Sequence, residues 1–192
     1  SLIQTYGLKE EDFQGELELA EGTRVQGNND LLNLTRPDII SDIHRRYLEA
    51  GADIVTANTF NSQRISQAEY HCGHLVRQLN AEAVRLARQQ AKTFSTADKP
   101  RYVIATMGPT GKSLSISPDV NDPAYRSISY DELRDAYTEQ ATALLESGVD
   151  AILVETVFDT LNAKAALDAA VSAMHTTDIT VPLMLSITVN DR

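Results

Sequence analysis

The chain has 192 residues, 42% of them hydrophobic and 23% charged, with a formal net charge of −10. That balance keeps a chain soluble, allows one domain with a sizeable core, and argues against nucleic acid or an anionic membrane as the main partner. No apolar run reaches the roughly 18 residues of a membrane span, SLIQTYGLKEEDF is no signal peptide, and a lone cysteine, Cys72, permits no internal disulfide and suits a cytoplasmic setting.

The first 30 or so residues are polar, glycine-bearing and weakly periodic, ending in GNND at 27–30. Pro37 then suits a first helical turn, and Ile39, Ile40, Ile43, Tyr47 and Leu48 fall at helical spacing up to Gly51. DIVTA (53–57) is short, β-branched and bounded, which predicts a strand. A long helical region is expected over roughly 62–94, broken by Lys99-Pro100. RYVIATM (101–107) is the next strand, followed by a loop centred on SPDVNDP (117–123). Ser129 or Asp131 starts a helix that runs to Gly148. AILVE (151–155) predicts a strand, 159–174 an alanine-rich helix, and Pro182 opens a last strand.

Strands that alternate with helices and read as continuous apolar runs predict an α/β fold with a parallel sheet covered on both faces. LEAGADIVTANTF at 48–60 is repeated as LESGVDAILVETVF at 145–158, a constant offset of 97 residues that spans two βα units. A repeating βα unit fits a closed (β/α)8 TIM barrel better than an open sheet. Such a barrel needs about 250 residues and eight strands. The four strands visible here therefore predict a partial barrel, with 1–192 as a single domain.

In these barrels the chemistry sits at the C-terminal ends of the strands, where Asn58, Gly108, Glu155 and Thr188 fall. A carboxylate there is partly desolvated and suits a substrate ammonium, so Glu155 is the first candidate; pairing with a Lys or Arg is its structural alternative. Asn58 could hydrogen-bond a substrate carboxylate or amine, or satisfy the backbone of its own turn.

Three other stretches point away from chemistry. GPTGKS (108–113) lacks the first glycine of a phosphate loop, Thr106 standing in its place, and SLSISPDVNDP follows where a helix is required. HCGH (71–74) brings two histidines and Cys72 together, but zinc sites need three or four ligands, so a solvated helix surface is expected. His44 and His175 read as ordinary helix residues.

GNNDLLNLTRPDII (27–40), AGADIVTANTFNS (50–62), GPTGKSLSISPDVNDPAYRSISYDEL (108–133) and ILVETVFDTLNAKAAL (152–167) together resemble the homocysteine-binding domain of cobalamin-dependent methionine synthases. The likeness is collinear from Ile3 to Arg192, and the SPDVNDPAYR loop is its most specific part. It implies a (β/α)8 barrel, with strands two to five in this chain, that binds homocysteine and zinc at its C-terminal face. It implies methyl transfer from methylcobalamin to homocysteine, with cobalamin-binding and folate-binding domains in the same enzyme.

Glu155 matches the family's glutamate for the substrate amino group, Asn58 its strand-end asparagine, and Asp159 a loop-organising residue. The family's zinc ligands are three cysteines on later strands, and Cys72 matches none. These 192 residues alone are therefore expected to hold part of the substrate rim, with no zinc and no activity. Relatives also read Glu-Thr-Asn where this chain has Thr56-Ala57-Asn58, and begin with an Asp-Gly-Gly-Met strand absent here. A non-catalytic binding or assembly module is the alternative, since a four-strand piece has two open edges.

Overall fold

The computed structural model describes residues 2–189. Its elements are α1 (Glu10–Gln14), α2 (Leu32–Thr35), α3 (Pro37–Glu49), β1 (Ile54–Ala57), α4 (Arg64–Ala68), α5 (Val76–Phe94), β2 (Tyr102–Met107), α6 (Tyr130–Glu146), β3 (Ala151–Val157), α7 (Thr160–Thr177) and β4 (Leu183–Ile187), with short 3-10 turns between. The helix starts follow local chemistry. Pro37 occupies the first turn of α3. Ser129 and Glu132 form a reciprocal capping box at α6, and Asp159 caps α7 through the N–H groups of Leu161 and Asn162.

The four strands are all parallel and lie in chain order, β1-β2-β3-β4. Because crossovers in such an order share one hand, every helix returns to the same side. Val55, Ala57, Val103, Ala105, Met107, Ile152 and Val154 face that side and pack with Val84 of α5, Tyr137 and Leu144 of α6, and the alanines of α7. The alternate residues, among them Ile54, Thr56, Tyr102, Ile104, Thr106, Leu153 and Glu155, form the other face. The expectation of cover on both faces is thus corrected. Helices cover one face only, since covering both needs a reversal of strand order that this chain lacks.

The weakly periodic N-terminus is held firmly. The Glu10 carboxylate accepts the N–H groups of Val25 (2.6 Å) and Gln26 (3.1 Å), and Phe13, Val25 and Leu31 join a second core with Ile40, Leu79 and Leu86.

The helical region expected over 62–94 is built of two helices, α4 and α5. A Schellman motif ends α4: Cys72 N–H bonds Gln67 O (2.9 Å) and His71 N–H bonds Ala68 O (3.0 Å), with His71 in the left-handed region at φ 56°. HCGH therefore lies in a break and not on a helix face. His71 and His74 are exposed, as a solvated surface requires, but Cys72 is fully buried in the second core.

Candidate functional site

Parallel strands bring Asn58, Gly108, Glu155 and Thr188 to one edge of the sheet. Glu155, Asn58 and Thr106 line one cleft of ≈ 550 Å³, with Thr59, Phe60 and the α3 residue His44 also in its wall.

Glu155 reaches that cleft through a bulge. Val154 pairs with Leu185, but the next pair is Val157 with Ile187, so β3 carries one residue more than β4 at this point. Thr156 absorbs it at φ 59°, a backbone region that costs a β-branched residue strain. The bulge returns Val157 to the helix-covered core. Among the described residues no Lys or Arg pairs with Glu155. Burial pushes its carboxyl above the usual range, partly opposed by a hydrogen bond from Thr106.

Asn58 is locked from behind. Its Nδ2 donates to Asn29 O (2.8 Å) and to Asn33 Oδ1 (3.1 Å), while Asn33 Nδ2 donates back to Asn58 O (2.8 Å). Both side-chain N–H donors of Asn58 are therefore used, and its side-chain oxygen, Oδ1, is the atom left for a ligand. The structural alternative holds in part: Asn58 satisfies backbone, though that of residue 29 and not its own turn.

Beneath the rim, Thr59 Oγ1 accepts Thr106 N–H (3.0 Å) and donates to Thr106 O (2.8 Å), tying the end of β1 to β2. Gln140 Nε2 supports Thr59 O from α6 (2.8 Å). Buried Asp30 accepts the Ser62 hydroxyl (2.7 Å) and Asn61 N–H (3.2 Å), and burial pushes its carboxyl up to about 6. Asp30, Asn33, Thr59 and Thr106 are the rim supports that sequence reasoning missed. The only signal for the first two was the polar GNND run with its nearby Asn33.

Asp159 behaves as a loop anchor. It accepts the hydroxyls of Ser113 and Ser115 at 2.6 Å each, the N–H groups of Leu114 and Ser115 at 3.0 Å, and the two capping N–H groups of α7. Burial alone would raise its carboxyl, but these donors hold it well below the usual carboxylate range. The GPTGKS stretch belongs to this same loop, and the next helix begins only at Tyr130, so the geometry of a phosphate loop is absent.

The metal that the resemblance implies does not fit these residues. Cys72 is buried with its thiol donating to Tyr70 O (3.2 Å), and burial raises its pKa, which disfavours the thiolate that zinc requires. Among the described residues no group of three His, Cys, Asp or Glu is placed to hold a metal ion.

A profile of the homocysteine S-methyltransferase family matches residues 2–192, nearly the whole chain. The chain belongs to the homocysteine S-methyltransferase family.

Its fold is also similar to that of the homocysteine methyltransferase MmuM from Escherichia coli. The metallated form is 16% identical with a TM-score of 0.69, covering 98% of this chain and 60% of that one. The oxidised form is 19% identical at 0.67, covering 92% and 58%, and the apo form is 18% identical at 0.57, covering 86% and 54%. This homocysteine S-methyltransferase family member thus spans about 60% of the length of the solved relative it matches.

Proposed function

We propose that residues 1–192 form one domain, the second-to-fifth-strand portion of a (β/α)8 barrel, that binds homocysteine for methyl transfer. The observation that carries this reading is the partly buried Glu155 carboxylate, which has no Lys or Arg partner among the described residues, in one cleft with Asn58, in a chain of this family. The Glu155 carboxylate takes the substrate ammonium as a charge-assisted partner in a partly dry site. The side-chain oxygen of Asn58, Oδ1, accepts from the same ammonium, because the side-chain N–H groups are already bonded. Ammonium, and not carboxylate, is therefore the group this pair selects.

The methyl donor, on the likeness of SPDVNDPAYR, is methylcobalamin carried on another domain of the same enzyme, with a folate-binding domain alongside. Zinc in the whole enzyme needs cysteines that this chain does not supply, so its own part is to hold and orient the amino acid. Cytoplasmic placement agrees with the lack, among the described residues, of any helix long and apolar enough to cross a membrane.

The test is calorimetry with homocysteine. Glu155→Gln should weaken binding about 10- to 100-fold, the scale of a hydrogen bond to a charged group. It should leave unchanged the binding of the analogue that lacks the amino group. Equal loss for both ligands, or none for homocysteine, removes Glu155 from the ammonium site.

A further inference from the structure

We infer that Thr106 is a positioning residue for Glu155, its hydroxyl holding one carboxylate oxygen so that the other meets the substrate ammonium. The inference rests on the reading of Glu155 given above and adds to it the group that aims the carboxylate.

Thr106 stands where the sheet changes partner. β1 pairs with β2 as far as Ala57 opposite Ala105, and β1 ends there. Beyond that pair a side chain takes over. Thr59 Oγ1 accepts Thr106 N–H (3.0 Å) and donates to Thr106 O (2.8 Å), which a hydroxyl does because it is donor and acceptor at once. Gln140 of α6, fully buried, holds the same corner, its Nε2 donating to Thr59 O at 2.8 Å and to Thr106 O at 3.4 Å. The backbone of Thr106 is thereby fixed from the 58–60 turn and from α6 together.

The consequence falls on its side chain. Ala105 and Met107 belong to the helix-covered core, so Thr106 faces the cleft, as Glu155 does from β3. Thr106 is level with Leu153, which sets Glu155 two residues further along the adjacent strand and on the same face. The two methylenes of the glutamate bridge that diagonal. At the Glu155 carboxyl the Thr106 hydroxyl is the hydrogen-bond donor, and it opposes the effect of burial there.

A hydroxyl supplies one proton to one carboxylate oxygen. That contact restrains rotation of the carboxylate and leaves the second oxygen for an ammonium N–H. It also favours the ionised form, which is the form that attracts a cation. A carboxylate aimed in advance binds more tightly than one that must be ordered on binding.

Thr106→Val keeps the branched shape and removes the hydroxyl, whereas Thr106→Ser keeps the hydroxyl. By calorimetry at pH 7, Thr106→Val should weaken homocysteine about tenfold, the scale of one hydrogen bond to a charged group. It should leave unchanged the binding of 4-mercaptobutanoate, which is homocysteine without its amino group. Thr106→Ser should bind both as the parent does. The pH below which homocysteine binding fades should move upward in Thr106→Val, because its Glu155 carboxylate is easier to protonate. His44 and Tyr47 of α3, Tyr137 of α6 and Asp159 before α7 also line the clefts that Glu155 borders. They are common to parent and variant, so the displacement reports Glu155. In a Glu155→Gln background, Thr106→Val should cost no further affinity.

The positioning role and the ammonium site fail separately. A loss in Glu155→Gln with none in Thr106→Val overturns the positioning role and leaves Glu155 in the site. Equal weakening of both ligands by Thr106→Val overturns it too, since the cleft has then lost shape and not aim. Should Glu155→Gln bind as the parent does, the ammonium site falls, and carbon-13 titration of the Glu155 carboxyl in the unliganded chain decides the contact. A midpoint that does not rise in Thr106→Val overturns it. If the valine variant fails to fold, Thr106→Ala reads the same loss.

Discussion

Gly108 and Phe60 approach so closely that a Cβ on the glycine would lie 2.6 Å from the Phe60 carbonyl oxygen and 2.9 Å from its ring. The contact includes a hydrogen bond from Gly108 N–H to Phe60 O at 3.0 Å, and Gly108 O accepts the Tyr137 hydroxyl at 2.8 Å. The glycine of GPTGKS therefore serves the crossing of two rim turns. Gly108→Ala must push the 58–60 turn outward and should cost about 1–3 kcal/mol, the usual scale of overpacking. Urea unfolding checks the cost. An alanine variant as stable as the parent would mean that the turn moves freely.

Asp159 fastens the 113–115 segment to the start of α7 through six accepted hydrogen bonds. Asparagine there loses the charge and turns an N–H₂ toward donors, so Asp159→Asn should destabilise by about 2–4 kcal/mol. Amide exchange at Leu114 and Ser115 should speed up along with the loss. Because the folded carboxyl lies below its unfolded value, its stabilisation is present above a pH of about 4 and is lost as pH falls further. The asparagine variant should lack that part of the acid slope.

Glu155 carries the opposite linkage. Its folded carboxyl is raised by burial, so the fold holds this proton more tightly than the unfolded chain, and stability falls as pH rises through its titration. Glu155→Gln should therefore raise the neutral-pH melting temperature of the unliganded protein while it weakens homocysteine binding. A melting temperature that drops would show that the carboxylate serves packing and not a ligand.

The rim was legible because the strand-end polar residues recur in register, Asn58 with Glu155, and a repeated βα unit repeats its geometry. The supports of that rim were not. Asn33 reaches Asn58 across 25 residues and Asp30 reaches Ser62 across 32, and neither contact leaves a period in the sequence. The bulge was hidden for a different reason. Thr156 is β-branched, and its left-handed backbone contradicts its own propensity. The break within the 62–94 helical region was hidden likewise, since a histidine and not a glycine takes the left-handed cap position that ends α4.

Two buried groups near β1 should oppose each other in acid. Burial lowers His44 to about 4, so below about pH 6.5 the unfolded chain takes up a proton that the fold refuses, and stability falls as pH drops. Burial raises Asp30 to about 6, so above about pH 4 the unfolded chain releases a proton that the fold keeps, and stability falls as pH climbs. Each effect amounts to about 3 kcal/mol across its window, and the windows overlap between about pH 4 and 6, so the two slopes largely cancel there. His44→Leu should uncover the Asp30 slope, making the variant lose stability as pH rises from about 4 to 6. Asp30→Asn should uncover the other, with loss as pH falls from about 6.5 to 4. Urea unfolding in half-unit pH steps separates them, and parallel profiles for both variants and the parent would show that neither group is buried as charged chemistry requires.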